Sequence, residues 1–181
     1  MRVIAGIAGG TRLVAPKGRD VRPTLDRVRE ALFNILAPRL EGARFLDLFA
    51  GTGAHGVEAL SRGAATAVFA DSDGRSLKAV RRNLEATRLG AQARVVRLAL
   101  PKGLSTLAAR EQPFDIVFAD PPYDFSQYAH LLGSIRGEAL LAVDGILVVE
   151  HATRVDLGAD LGGFVRGRYR TYGDTALSFF S

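Results

Sequence analysis

One stretch narrows the folds open to this chain more than any other: Asp47-Leu48-Phe49-Ala50-Gly51-Thr52-Gly53-Ala54-His55-Gly56. The apolar run Phe45 to Phe49 reads as a buried strand. Glycines at 51, 53 and 56 follow, and then a helix-forming run, Val57-Glu58-Ala59-Leu60, closed by Ser61-Arg62-Gly63. Strand, glycine turn and helix together are the setting in which a G-x-G-x-x-G match carries meaning. Glycine permits the sharp turn and lets a ligand touch the main chain, while the helix start offers unpaired N–H groups. On spacing alone the expected ligand is a dinucleotide.

Asp47 argues against that default. It ends the strand, four residues before the first glycine, and is expected to point into the crevice where the ligand sits. A pyrophosphate there would face a fixed negative charge at short range, which is unfavourable. An amine or a sulfonium would be attracted. S-adenosyl-L-methionine carries both, together with a ribose and an adenine. The bland alternative is that Asp47 caps the turn that follows it.

The 181 residues suit one domain with at most a small appendage, and are enough to bury a real core. With no cysteine, disulfides and thiolate metal sites are excluded. His130 and His151 show no ligand spacing, so no metal is expected. No signal peptide opens the chain, and no apolar run approaches the roughly 20 residues of a membrane span. A soluble, cytoplasmic protein, monomeric by default, is the expectation.

Charge is distributed unevenly. Residues 1–39 hold eight basic side chains against three acidic ones, an excess equal to the +5 of the entire chain, and residues 40–181 are neutral. A basic end beside a neutral domain suits a phosphate backbone. A solvated basic surface is the alternative. The division expected is a basic extension over 1–39, binding RNA and covering the cofactor, and a catalytic domain over 40–181. Its candidate RNA contacts are Arg2, Arg12, Arg22, Thr24, Arg27 and Arg29.

Within the extension, residues 2–6 and 12–15 flank Gly9-Gly10 and predict a short β-hairpin. Arg22-Pro23-Thr24 precedes a helix with Val28, Leu32, Ile35 and Leu36 on one face, with Thr24 as N-cap and Arg27 and Arg29 turned elsewhere. From Arg44 the pattern becomes β-α-β. Ala65 to Ala70 is a second strand closing on Asp71-Ser72, and Asp71 lies twenty residues past Gly51, where an acidic side chain bonds ribose hydroxyls. A helix runs from Gly74 to about Leu89. Arg94 to Leu98 is a third strand, Ser105 to Glu111 a short helix and Phe114 to Ala119 a fourth strand. A helix around Tyr128 to Ile135, a turn at Asp144-Gly145 and a strand over 146–150 follow. The tail, 164–172 and 175–180, reads as an antiparallel hairpin.

The fourth strand ends on Asp120-Pro121-Pro122-Tyr123, at the strand ends where an open α/β sheet holds ligands. An amine conjugated to a base ring is a poor nucleophile, because its lone pair is delocalised. Asp120 can accept one of its N–H groups, a carbonyl of the rigid Pro121-Pro122 segment the other, and Tyr123 can stack on the base. Plain loop punctuation by paired prolines is the alternative.

With these segments the chain resembles the RsmD-type methyltransferases, which methylate N2 of a guanine in bacterial small-subunit (16S) ribosomal RNA. The likeness runs nearly end to end. It rests on Arg22-Pro23-Thr24 with residues 27–34, on Asp47 to Gly56 continuing through Ala59-Leu60-Ser61-Arg62-Gly63-Ala64, on Asp120 to Tyr123 and on Tyr172-Gly173-Asp174-Thr175. It implies a Rossmann-like class I fold: a mostly parallel seven-stranded sheet with an antiparallel C-terminal hairpin, plus an N-terminal β-hairpin and helix. It implies that Asp47, Phe49, Ala50, Gly51, Thr52, Gly53, Gly56, Asp71 and Ser72 bind S-adenosyl-L-methionine, and that Asp120, Pro121, Pro122 and Tyr123 are catalytic. Its partner would be 16S rRNA in an assembling or assembled small subunit.

Two departures stand out. Such enzymes often carry an acidic residue after the third strand, where this chain reads Leu98-Ala99-Leu100, so main chain or apolar packing must hold the adenine. His55 occupies a position where a small or apolar residue is usual, and is expected to be a partly exposed helix-start residue. Competing functions are a DNA adenine-N6 methyltransferase, for which about 40 residues outside the core leave little room for target recognition; a nicotinamide oxidoreductase, which leaves Asp47 and the Pro-Pro-Tyr loop idle; and a catalytically silent RNA-binding module, which leaves the Asp120 loop unexplained.

Overall fold

Eight strands form a single sheet in a computed structural model that describes residues 1–15 and 26–181. They are β1 (Arg44–Leu48), β2 (Thr66–Asp71), β3 (Ala93–Arg97), β4 (Phe114–Ala119), β5 (Leu141–Ala152), β6 (Asp160–Leu161), β7 (Phe164–Tyr172) and β8 (Thr175–Phe180), in the spatial order β3-β2-β1-β4-β5-β8-β7-β6. The first five are parallel, and β8, β7 and β6 add antiparallel partners beyond β5. Seven strands were expected; the eighth is the two-residue β6, too short for periodicity to reveal.

Alternation along the strands explains the layers. Phe45 faces a core that includes Val28, Leu32 and Phe33 of α1 (Asp26–Leu36), Val57 and Leu60 of α2 (Ala54–Ser61), and Val80 and Leu84 of α3 (Gly74–Thr87). Leu46 and Leu48 face the other core, with Leu104 of α4 (Leu104–Ala108) and Leu131, Leu132 and Ile135 of α5 (Tyr128–Gly137). Both faces of the central strands are covered, which is why they read as unbroken apolar runs rather than alternating ones. β1 pairs with β2 on one side and β4 on the other. Chain order therefore reverses there, opening a crevice at the carboxyl ends of the strands.

Two local expectations are corrected. The turn at Asp144-Gly145 does not start β5. Phe114 already pairs with Leu141, and Ile116 next pairs with Ile146, so the intervening residues bulge out of a strand that continues past them. The N-terminal hairpin reduces to one antiparallel bridge, Arg2 to Arg12. Backbone bonds still close it, Val3 N to the Thr11 carbonyl at 2.9 Å and Leu13 N to the Met1 carbonyl at 3.1 Å, and side chains tie it to the domain. The Glu58 carboxylate accepts from Ile4 N at 2.7 Å and Ala5 N at 3.0 Å, Ser61 Oγ accepts from Ala8 N at 2.9 Å, and Asn83 bonds both N–H and carbonyl of Val14. Among the described residues no helix is long and apolar enough to cross a membrane.

Candidate active-site pocket

A cavity of about 780 Å³ opens over the carboxyl ends of the central strands. Phe49, Gly51, Asp71, Ser72, Asp120, Pro121, Pro122 and Tyr123 all line it, so two sequence segments about seventy residues apart meet at one wall. Leu98, Ala99 and Leu100 line it as well, an apolar part of its wall. Ser76 Oγ, buried in the wall, has no hydrogen-bond partner among the described residues. An unused hydroxyl beside an apolar wall and a carboxylate fits an adenosine-bearing ligand.

The three glycines of the turn do different things. Gly51 (φ 56°) and Gly53 (φ 74°) sit in the left-handed region that other residues adopt only at a cost. Only Gly51 lines the cavity. Gly56 lies inside α2, and a Cβ built on it would come within 2.3 Å of the Phe69 ring, so glycine is needed there for helix–strand packing rather than for ligand approach. Ala50, Thr52 and Gly53 also lie behind the cavity wall rather than in it. Asp71 braces the turn from β2: one carboxylate oxygen accepts from Gly51 N at 2.9 Å and the other from Asp73 N at 2.8 Å. A carboxylate has about four acceptor positions, so each oxygen retains capacity for a sugar hydroxyl.

Asp47 does not meet its expectation. It is 1% exposed, is absent from the cavity wall, and accepts from Gly56 N at 2.9 Å. Burial pushes its carboxyl well above the usual range, the Gly56 N–H opposes this, and Asp120 and Asp71 push it further up. The capping alternative describes what the side chain does here. Asp47 and Asp120 nevertheless share a face of the sheet. Asp47 pairs with Phe118, and Asp120 follows two residues on, in the same alternation. Asp120 lines the cavity, and burial raises its carboxyl to about 7.

The loop after Asp120 is ordered by its own backbone. The Pro122 carbonyl accepts from Phe125 N at 2.9 Å, which leaves the Pro121 carbonyl as the other proline acceptor. Tyr123 is 54% exposed, and the Arg154 guanidinium lies 4.4 Å from its ring centroid. Beneath it runs a set of edge-to-face rings that the sequence pattern did not single out: Phe49 to Phe125 at 5.3 Å, and Phe125 to Tyr128 at 5.0 Å. Burial raises the Tyr128 hydroxyl, and Asp120 adds to this while Arg154 opposes it, so Tyr128 stands between those two charges. The aromatic spacing 123, 125, 128 was the available sign. His151, also in the wall, is fixed by Ser178 Oγ at 2.9 Å and the Ala152 carbonyl at 3.0 Å, and burial lowers its pKa. A carbonyl acceptor at Nδ1 makes Nδ1 the protonated nitrogen.

Arg29, expected to face RNA, is fully buried. It donates to Asp26 at 3.0 Å and to the Arg2 carbonyl, and its Nε lies 3.9 Å from Glu58. Helical rotation places it inward beside Val28, and a buried guanidinium is tolerated because carboxylates surround it. Arg2, Arg12 and Arg27 are exposed, whereas Arg22 and Thr24 lie outside the described residues. His55 is buried, not partly exposed. It packs 4.1 Å from the Phe118 ring and 6.5 Å from Phe33, and burial lowers its pKa to about 3. Among the described residues no cluster of His, Asp or Glu could hold a metal.

The same architecture recurs in other proteins. The family model described as conserved hypothetical protein 95 matches residues 1–181. The protein YlbH of Bacillus subtilis (strain 168), named as a putative rRNA methyltransferase, is 40% identical over 180 residues, covering 99% of this chain and 98% of that one. Ribosomal RNA small subunit methyltransferase D of Escherichia coli (strain K12) is 39% identical over 150 residues, covering 83% and 74%. The solved structure of a hypothetical protein from Thermus thermophilus superposes with a TM-score of 0.84 at 35% identity, covering 99% and 98%.

Proposed function

The chain belongs to the RsmD family, and on that premise we propose that it transfers a methyl group from S-adenosyl-L-methionine to the exocyclic N2 amine of a guanine in 16S ribosomal RNA. It is an S-adenosylmethionine-dependent ribosomal RNA methyltransferase; the guanine amine is the finer assignment. The observation that carries it is the position of Asp120: a carboxylate at a strand end, in one cavity with Gly51 and Asp71, followed by two prolines and an exposed tyrosine.

The methyl of the bound sulfonium is already an activated electrophile. What the chain must supply is a correctly aimed nitrogen, so orientation and charge placement do the work. Asp120 accepts one N–H of the guanine amine and the Pro121 carbonyl accepts the other. With both hydrogens drawn aside, the nitrogen lone pair leaves conjugation and faces the methyl carbon. Tyr123 stacks on the base, a contact worth about 1–3 kcal/mol. S-adenosylmethionine bound here would supply the methyl group, and Asp120 is placed to take the proton that the amine gives up. Asp71 would hold the ribose hydroxyls of that ligand, and residues 98–100 would pack on its adenine.

The substrate we favour is the small subunit during or after assembly, met in the cytoplasm by a monomer. The test offers 16S rRNA, bare and within small-subunit particles, with labelled methyl donor, and digests the product. Label on guanine N2 is expected; label on adenine would promote the DNA-type adenine reaction instead. Asp120→Ala is expected to lose transfer by several orders of magnitude while calorimetry still records S-adenosylmethionine binding. Loss of both would make Asp120 structural. Heat from NADH with none from S-adenosylmethionine would end the methyltransferase assignment.

A further inference from the structure

Among the strands, β7 is the most basic. β7 carries Arg166, Arg168 and Arg170, and cross-strand pairing sorts them. Arg168 lies opposite Phe179 and Arg170 opposite Leu177, both in the core beneath α1, whereas Arg166 lies opposite Phe180 on the other face, 3.8 Å from Asp156. Tyr172 continues the α1-side row, pairing with Thr175, and lines the active-site cavity. Arg168, Arg170 and Tyr172 therefore form a line that climbs toward the cavity in steps of about 6.6 Å, two residues at about 3.3 Å each.

At its lower end the line meets a groove of about 640 Å³ between α1 and β7, lined in part by Ile35, Arg39, Asp144 and Arg168. Arg39 donates to the main-chain carbonyl of Asp144 at 2.6 Å, not to its carboxylate. Among the described residues none of Arg39, Arg168 and Arg170 forms an ion pair, and Arg168 and Arg170 are exposed. Arg27, exposed at the start of α1, falls in the same helical row as Ala31 and Ile35 and so borders the same trough. Arg39 and Arg168 line this groove with Asp144, and Arg27 and Arg170 extend the basic row beyond its two ends.

We propose that this trough carries the phosphate backbone of the RNA strand that delivers the target base, with Arg168 and Arg170 as the phosphate contacts closest to the cavity. The inference rests on the RNA-methyltransferase assignment and adds to it a path that runs over β7. Charge complementarity selects the occupant: a row of guanidinium groups with no carboxylate partner among the described residues, Arg39 and Arg170 bonding only main-chain carbonyls, matches phosphates, which accept their forked donors. Continuity with the reaction site through Tyr172 gives the path a destination. The polymer enters along the α1 side of the sheet, and the extruded base turns in over the strand ends.

The test compares the intact wild-type enzyme with the double variant R168Q/R170Q and with R81Q/R82Q, which removes the same charge from α3. Binding to small-subunit particles and to 16S rRNA is measured across salt concentration, alongside S-adenosylmethionine binding, melting temperature and sedimentation. R168Q/R170Q is expected to bind RNA about ten-fold more weakly, with a salt slope shallower by about 1.4, two single-strand phosphate contacts at about 0.7 each. Its cofactor binding and melting temperature should match the wild type, and R81Q/R82Q should bind RNA as the wild type does. Equal RNA affinity and slope in the two double variants would overturn the proposal. So would a change of sedimentation in R168Q/R170Q alone, which would make the groove a contact between copies of the chain. A wild type that binds no RNA would instead remove the underlying assignment.

Discussion

Asp120 combines two demands on one carboxyl. Burial lifts it from an ordinary 3.8 to about 7. Below about pH 4 the folded and unfolded chains both hold its proton, and folding costs nothing there. Between about pH 4 and 7 the unfolded chain releases the proton while the native carboxyl keeps it, so stability is lost as pH rises and the loss is complete above about pH 7. Asp120→Asn removes that cost. It should melt about 3–10 °C higher than the wild type at about pH 8, with the gap closing toward about pH 5. A gain equal at both values would mean that asparagine merely packs better. In the proposed role Asp120 takes up the amine proton, which only its ionised form can do, so kcat/KM on RNA should rise through about pH 7. His55 works in the opposite direction. With its native pKa lowered to about 3, it costs stability as pH falls below its ordinary 6.5.

Among the elements, α2 carries the most constraint. Its Gly56 is pressed by Phe69 of β2, and its Glu58 and Ser61 hold the N-terminal segment. Gly56→Ala keeps the N–H that Asp47 accepts, so its cost is steric. It should destabilise by about 1–3 kcal/mol, the usual range for overpacking. Adding Phe69→Leu should return part of that loss, and thermal melts of both singles and the double measure the coupling. Strictly additive losses would show that the Phe69 contact is not the cause. Nothing in the letters Gly-x-Gly-x-x-Gly distinguishes a glycine that serves a ligand from one that serves a neighbouring ring, because the ring arrives from a different strand.

For the entire fold, the N-terminal segment behaves as part of the core and not only as a charged extension. Val3, Ala8 and Leu13 are buried with Phe45 and Leu60. Deleting residues 2–15 would remove these side chains from the core, uncover the apolar surface they pack on and strip partners from Glu58, Ser61 and Asn83. A loss of about 1–3 kcal/mol for each unsatisfied group predicts a melting temperature lower by about 8 °C or more, with new binding of a hydrophobic dye. An unchanged melt would make residues 2–15 an independent appendage. The order of strands and helices was legible in the chain because both faces of the central strands are buried and every crossover helix repeats its apolar stripe. Asp120-Pro121-Pro122-Tyr123 was legible because its chemistry needs adjacent residues. The fate of Asp47, Arg29 and His55 was not, since whether a polar side chain faces a ligand or a backbone N–H depends on partners remote in the chain. Local pattern settles which residues share a strand or a helix; which charges end up paired, buried or aligned on one surface is settled when distant segments close around them.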